Sequence, residues 1–151
     1  MKLASKDGQL FEMRILQYQF PHKETEDYDS NWLIIAGDVI HPRGSWHFSD
    51  PCLLTYEAER LASWMDAVSG GKALPATCSF IEPNLEFRAI FGAQPVLRVY
   101  FRLEARPKWA SNKFAEKEDI WVEFPLDELD LRSTAREWRG ELSAYPQRAP
   151  R

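Results

Sequence analysis

The sequence predicts an α+β fold built mainly on antiparallel β-sheet, with about seven strands forming a curved sheet or sandwich and two helices near 54–69 and 130–143. Three observations lead there. Apolar residues alternate along most segments with the period of two that marks half-buried strands. The linkers between these segments are short and carry Pro, Gly and Asn, which suits turns between sequential antiparallel strands rather than long crossovers. The apolar period lengthens to three and four residues in only two places. At 151 residues the chain is about one domain, 1–151, and a core of that size needs no disulfide or metal to hold it.

The elements follow in order. From Leu10 to Phe20, the alternation of Phe11, Met13 and Ile15 changes phase at Leu16, Tyr18 and Phe20, as a β-bulge in a long strand would produce. Pro21 stops the run, and the polar, acidic stretch 22–31 is a loop. Trp32 to Ile40 reads as a strand, 41–45 as a turn, and Trp46, His47 and Phe48 as the antiparallel return. Asp50-Pro51 is expected to break that return. Leu54, Ala58, Leu61, Met65 and Val68 then share one helix face, with Thr55 as cap and Gly70-Gly71 as stop. Three strands follow, at 76–81, 85–91 and 96–103, then a loop at 106–118 and a last strand through Ile120, Val122 and Phe124. Leu131, Ala135, Trp138 and Leu142 give the closing helix with Asp130 as its cap, although Gly140 costs that helix about 1 kcal/mol relative to Ala.

Composition narrows the function. A net charge of −4 and no clustered Lys and Arg argue against a nucleic-acid binder. No apolar stretch is long enough for a membrane helix, and MKLASKDGQL has no apolar signal region, so the reading is a cytoplasmic protein. Cys52 and Cys78 read as two small buried thiols rather than a disulfide. Most of the six Trp, five Tyr and nine Phe fall on the alternating faces and read as core.

No catalytic set emerges. Neither GxGxxG nor GxxxxGK[ST] occurs, there is no GxSxG elbow, and His22, His41 and His47 show no metal-ligand spacing, so no cofactor and no metal are expected. His41 and His47 read as two rim histidines on a hairpin, the alternative being that they face each other across the 42–45 turn with Asp50, and Cys52 reads as an inert thiol in an apolar run. The enzymatic alternative is a small-ligand or hydrolytic cleft at strand ends, gathering Glu82, Glu104 and His47.

Charge distribution says more. Residues 22–31 carry Glu24, Glu26, Asp27 and Asp29 against Lys23, net −3. Residues 116–130 carry Glu116, Glu118, Asp119, Glu123, Asp127, Glu128 and Asp130 against Lys117, net −6. By contrast, five Arg against two Glu leave 132–151 at net +3. Such acidic segments suit a surface that steers a basic partner and stands in for nucleic acid.

Several motifs together, QYQFP (17–21), DYDSNWL (27–33), DPCLLTYEAERLASWM (50–65), FIEPNLEF (80–87), RVYFRLEARPKW (98–109), VEFPL (122–126) and YPQR (145–148), resemble the WapI family of bacterial immunity proteins. The likeness runs through essentially the whole chain, in order. It implies a non-enzymatic cytoplasmic protein that binds and neutralises the C-terminal toxin domain of a polymorphic or contact-dependent inhibition toxin, often a nuclease. Trp32, Pro51, Cys52, Glu57, Trp64, Pro83, Asn84 and Trp109 read as its turn formers, core aromatics and polar anchors. The partner-binding candidates are the acidic residues Glu24, Glu26, Asp27, Asp29, Glu116, Glu118 and Asp119, with Tyr28 and Trp109 as aromatic anchors. Oligomeric state stays open, since an uncovered edge strand would allow a dimer.

Overall fold

The computed structural model describes residues 1–23, 27–72, 75–110 and 118–150. Among these, eight strands form two four-stranded antiparallel sheets, neither of them closed. The first contains β1 (Lys2–Ala4), β2 (Leu10–Tyr18), β3 (Trp32–His41) and β4 (Gly44–Leu54) in sequence order. The second contains β5 (Thr77–Ser79), β6 (Leu85–Ile90), β7 (Val96–Phe101) and β8 (Ile120–Pro125), again in order. Two helices, α1 (Thr55–Ser69) and α2 (Leu131–Leu142), complete the α+β fold.

The inner residues of the two sheets meet face to face. Phe11 packs edge-on to Phe101 with ring centroids 5.1 Å apart, and Phe48 lies 6.1 Å from Phe101. Because both partners alternate inward and outward, the apolar half of each strand disappears into this core while Glu12, Arg14 and Asp38 face out. The helices pack on each other, Trp138 Nε1 donating to the Ala58 carbonyl at 2.8 Å and Arg139 pairing with Glu59 and Asp66 at 2.9 and 2.6 Å. Trp64 ties α1 to the second sheet, with its ring 6.4 Å from Phe87 and its Nε1 donating to the Pro75 carbonyl.

The phase change in β2 is a bulge: the register against β3 shifts between Ile15 and Gln17, leaving Leu16 unopposed and 47% exposed. Asp130 caps α2 as expected, accepting from Ser133 N at 3.1 Å. Both cysteines are buried and free, and burial pushes the Cys78 thiol up to about 11.

Four expectations need correction. Lys2–Ala4 forms a strand that three residues are too short to announce. Asp50-Pro51 does not end β4, because β4 is an edge strand and a bulge at Cys52 takes up the irregularity, so pairing resumes at Leu53. Thr55 is not the cap of α1. Its hydroxyl bonds Asn31 Oδ1 at 3.2 Å, and the helix start is satisfied by the Glu57 carboxylate, which accepts from Leu54 N at 3.0 Å. The strands at 76–81, 85–91 and 96–103 are each trimmed, β7 ending at Phe101 because Leu103 adopts φ 51.

Candidate functional site

Asp27 and Asp29 of the first acidic segment and Glu118 of the second lie at opposite ends of β3. Asp27 and Asp29 belong to the turn that enters β3 at Trp32, whereas Glu118 lies 3.2 Å from Arg43, just past its other end at His41. Ten strand residues separate them, about 30 Å at ~3.3 Å per residue. They cannot both occupy the centre of one ordinary protein footprint of about 800 Å² per partner. Glu24, Glu26 and Glu116 lie outside the described residues.

At the Trp32 end, Asp27 caps a 3₁₀ turn, Tyr28–Asn31, by accepting from Asp29 N at 2.9 Å. Lys23 pairs with Asp27 at 3.0 Å and Asp29 at 3.3 Å, and holds the Asp27 carboxyl below its usual range. Tyr28 is 38% exposed and shares a 2.6 Å hydrogen bond with the Tyr56 hydroxyl on α1. Burial together with that bond pushes the Tyr56 phenol up to about 12.

Beside this turn opens a cleft of about 400 Å³ lined by Gln19, Phe20, Asp29, Trp32, Asp50, Pro51, Glu82 and Glu104. Four of these are carboxylates and none is basic. Asp50 pairs in register with Ile35, so its side chain points between the sheets at the open edge of β4. There the buried Asn84 amide donates to Asp50 Oδ2 at 3.1 Å and Glu104 Oε2 at 3.3 Å. Burial and the facing Glu104 raise the Asp50 pKa, so its charge is held against repulsion. Leu103, directly before Glu104, takes a positive φ of 51 while its side chain stays 56% exposed. A leucine there costs roughly 1–2 kcal/mol, strain of the kind that collects where a chain must aim a particular side chain.

The cleft brings together Glu82 and Glu104, the pair named in the enzymatic alternative, and adds Asp50, which in the sequence reads as part of a strand break. It excludes His47. That ring faces outward on the first sheet and bonds Asp38 at 2.9 Å, while Asp38 also pairs with Arg14 at 3.0 Å. His41 and His47 do not face each other either, since the register sets His41 opposite Gly44 and His47 opposite Asp38.

At the other end of β3, Trp109 is 38% exposed, with Arg43 4.8 Å over its ring and Trp46 5.8 Å away. Glu118 pairs with Arg43 and Asp119 with Arg102 at 3.5 Å. These two carboxylates face guanidinium groups as Asp27 and Asp29 face Lys23, so the ends differ in the cleft, whose lining carries four carboxylates and no basic residue.

A family model described as the immunity protein WapI-like family matches residues 2–146. The chain belongs to this family. It is thereby placed among proteins of immunity against toxins, a generally non-enzymatic group with a toxin as partner. No curated protein and no solved structure matches the chain.

The motifs of this WapI-like chain meet in space through buried polar anchors. DSNWL meets the segment after α2 where Asn31 binds Arg148 N and Ala149 N, at 2.8 and 3.3 Å. DPCL, EPNL and RLEA meet at Asp50, Asn84 and Glu104. YEAER meets FIEP where the buried Glu57 accepts from Ile81 N at 2.8 Å. Among the described residues no helix is long and apolar enough to cross a membrane, and no group of His, Cys, Asp and Glu is arranged to hold a metal ion.

Proposed function

We propose that the chain is a cytoplasmic immunity protein that binds the C-terminal toxin domain of a polymorphic or contact-dependent toxin and blocks it sterically. The toxin we infer is a nuclease. Its substrate surface must present Lys and Arg to phosphates, and a carboxylate-lined surface competes for those same groups. The observation that carries this reading is the cleft, where Asp29, Asp50, Glu82 and Glu104 stand without a basic lining residue beside the aromatic walls of Phe20 and Trp32. A guanidinium entering it would gain charge pairing and a ring face together, and would relieve the repulsion on Asp50.

Asp27, Tyr28 and Asp29 extend the same face, with Glu24 and Glu26 next to them in sequence, and supply long-range steering. Trp109, Glu118 and Asp119, with Glu116 close by in sequence, form a second contact at the far end of β3 for a partner large enough to reach it. The carboxylate-hydrolase alternative is less well supported, since both Asp50 and Glu104 are engaged by Asn84 and His47 lies elsewhere.

The test is co-expression with the toxin domain encoded beside this gene. Growth rescue and a co-purifying complex are expected, and failure of both removes the reading. Reversing Glu24, Glu26, Asp27 and Asp29 should slow association at low salt by roughly tenfold or more. An unchanged rate would exclude the loop as a steering element.

A further inference from the structure

The segment 145–149, which follows α2, lies across the connection between β2 and β3 and bonds both ends of it. At the leading end, Arg148 donates through its two terminal nitrogens to the carbonyls of Phe20 and Pro21, at 3.1 and 3.3 Å, with its guanidinium carbon 3.5 Å over the Tyr18 ring. At the trailing end, the fully buried Asn31 accepts from the backbone N–H of Arg148 and Ala149 and donates to the Ala149 carbonyl at 3.0 Å. Tyr18 and Tyr145 close the contact, Tyr18 donating to the Pro146 carbonyl at 2.6 Å and Tyr145 to the carbonyl of the bulged Leu16 at 3.0 Å.

None of this is strand pairing. The β2–β3 ladder is complete at Tyr18 opposite Leu33, with Gln19 N donating to the Trp32 carbonyl at 2.8 Å. The grip of Arg148 and Asn31 begins one residue beyond, on the loop side. We propose that 145–149 is a positioning strap that holds Phe20 and Pro21 on one side and Asn31 on the other, so that Asp27, Tyr28 and Asp29 meet a basic protein partner in one fixed arrangement. This rests on the reading of that loop as partner-facing. Arg148 is then a positioning residue: it touches no partner, yet it sets where Phe20 lies. Phe20 in turn carries the Lys23 ammonium 4.8 Å over its ring, and that ammonium pairs with both aspartates. Preorganisation of this kind lowers the ordering cost of binding without adding a contact.

The test substitutes Arg148→Ala and Arg148→Lys in the full chain. Amide hydrogen exchange is followed at Lys23 and Ser30, whose N–H groups donate to Phe20 and Asp27 carbonyls within the loop. Association is measured in parallel with the toxin domain encoded beside the gene. Arg148→Ala should speed exchange at both amides at least tenfold, leave the strand amides of β2 and β3 unchanged, and slow association several-fold. Lys, which keeps the charge but cannot span two carbonyls, should fall between. Unchanged loop exchange overturns the strap, and faster exchange with unaltered association overturns its role in presenting the loop. If the unsubstituted chain does not bind the toxin domain, the immunity reading and the presenting role both fall, and loop exchange alone decides whether the strap orders the loop.

Discussion

Gly37 and Phe48 face each other across the β3–β4 ladder, and the Phe48 ring lies over the glycine so closely that a Cβ on residue 37 would fall 2.3 Å from two ring atoms. The ring is buried and reaches Phe11 and Phe101, so it joins both sheets and has no room to withdraw. Gly37→Ala should therefore destabilise by about 1–3 kcal/mol, the usual range for overpacking a core. Combining it with Phe48→Leu should recover part of the loss, giving a coupling energy of at least ~0.5 kcal/mol in a denaturation double-mutant cycle. Strict additivity would show that the clash is relieved elsewhere.

The cleft predicts a trade of stability for binding. The raised pKa of Asp50 means that, between its ordinary value of 3.8 and its folded value, the folded state holds more of the proton than the unfolded chain. In that window stability falls as pH rises, and above it the charged carboxylate persists at a cost. Asp50→Asn removes the repulsion with Glu104 and Glu82 and should raise Tm at pH 7 by a few degrees, as about 1 kcal/mol does in a chain of this size. The same substitution should weaken toxin binding. A variant that lost both stability and binding would instead mark Asp50 as structural.

Leu103 offers an independent check on the cleft. Its φ of 51 is unfavourable for leucine, and at 56% exposure the side chain gains little from burial. Leu103→Gly should be neutral or stabilising by up to about 1 kcal/mol, although most leucine truncations destabilise. Urea denaturation decides it, and a loss above ~1 kcal/mol would mean that the leucine packs more than its exposure indicates.

The parts of this fold legible in the sequence are those set by local periodicity. The Leu16 bulge shows as a phase change, α1 as a four-three spacing, and the Asp130 cap as a side chain three residues before the N–H it binds. Pro51 reads as a strand end in the sequence but lies within β4, because proline is excluded from central strands yet tolerated at an edge, and whether β4 is an edge depends on the whole sheet order. The site follows the same division. Glu82 and Glu104 are visible as acids at strand ends, but Asp50 joins them only because two sheets meet at Asn84. The separation of Asp29 from Glu118 by the length of β3 is likewise tertiary, since composition marks both segments as acidic and says nothing of which end each takes.

His41 predicts a pH response at the opposite end of the molecule from the cleft. Its Nδ1 accepts from Arg43 N at 3.0 Å, which assigns the ring proton to Nε2, and the ring also bonds the Trp121 backbone. It lies 5.9 Å from Trp46 and 5.8 Å from Trp109. Arg43, Arg98, Glu118, Asp119 and Glu123 line the adjoining cavity of about 460 Å³. Burial lowers the pKa of His41 below 6.5, and the Arg43 charge lowers it further. The unfolded chain therefore binds the proton first, so the contribution of His41 is fully present above 6.5 and is lost as pH falls through that value toward the folded one. Protonation also removes the acceptor that Arg43 N uses. His41→Asn retains an acceptor but does not titrate, so its stability should fall less than that of the unsubstituted chain between pH 7.5 and 5. Tryptophan fluorescence, reporting Trp46 and Trp109, should shift with pH in the unsubstituted chain and much less in the variant. Parallel stability curves for the two proteins would show that the acid sensitivity lies in other groups.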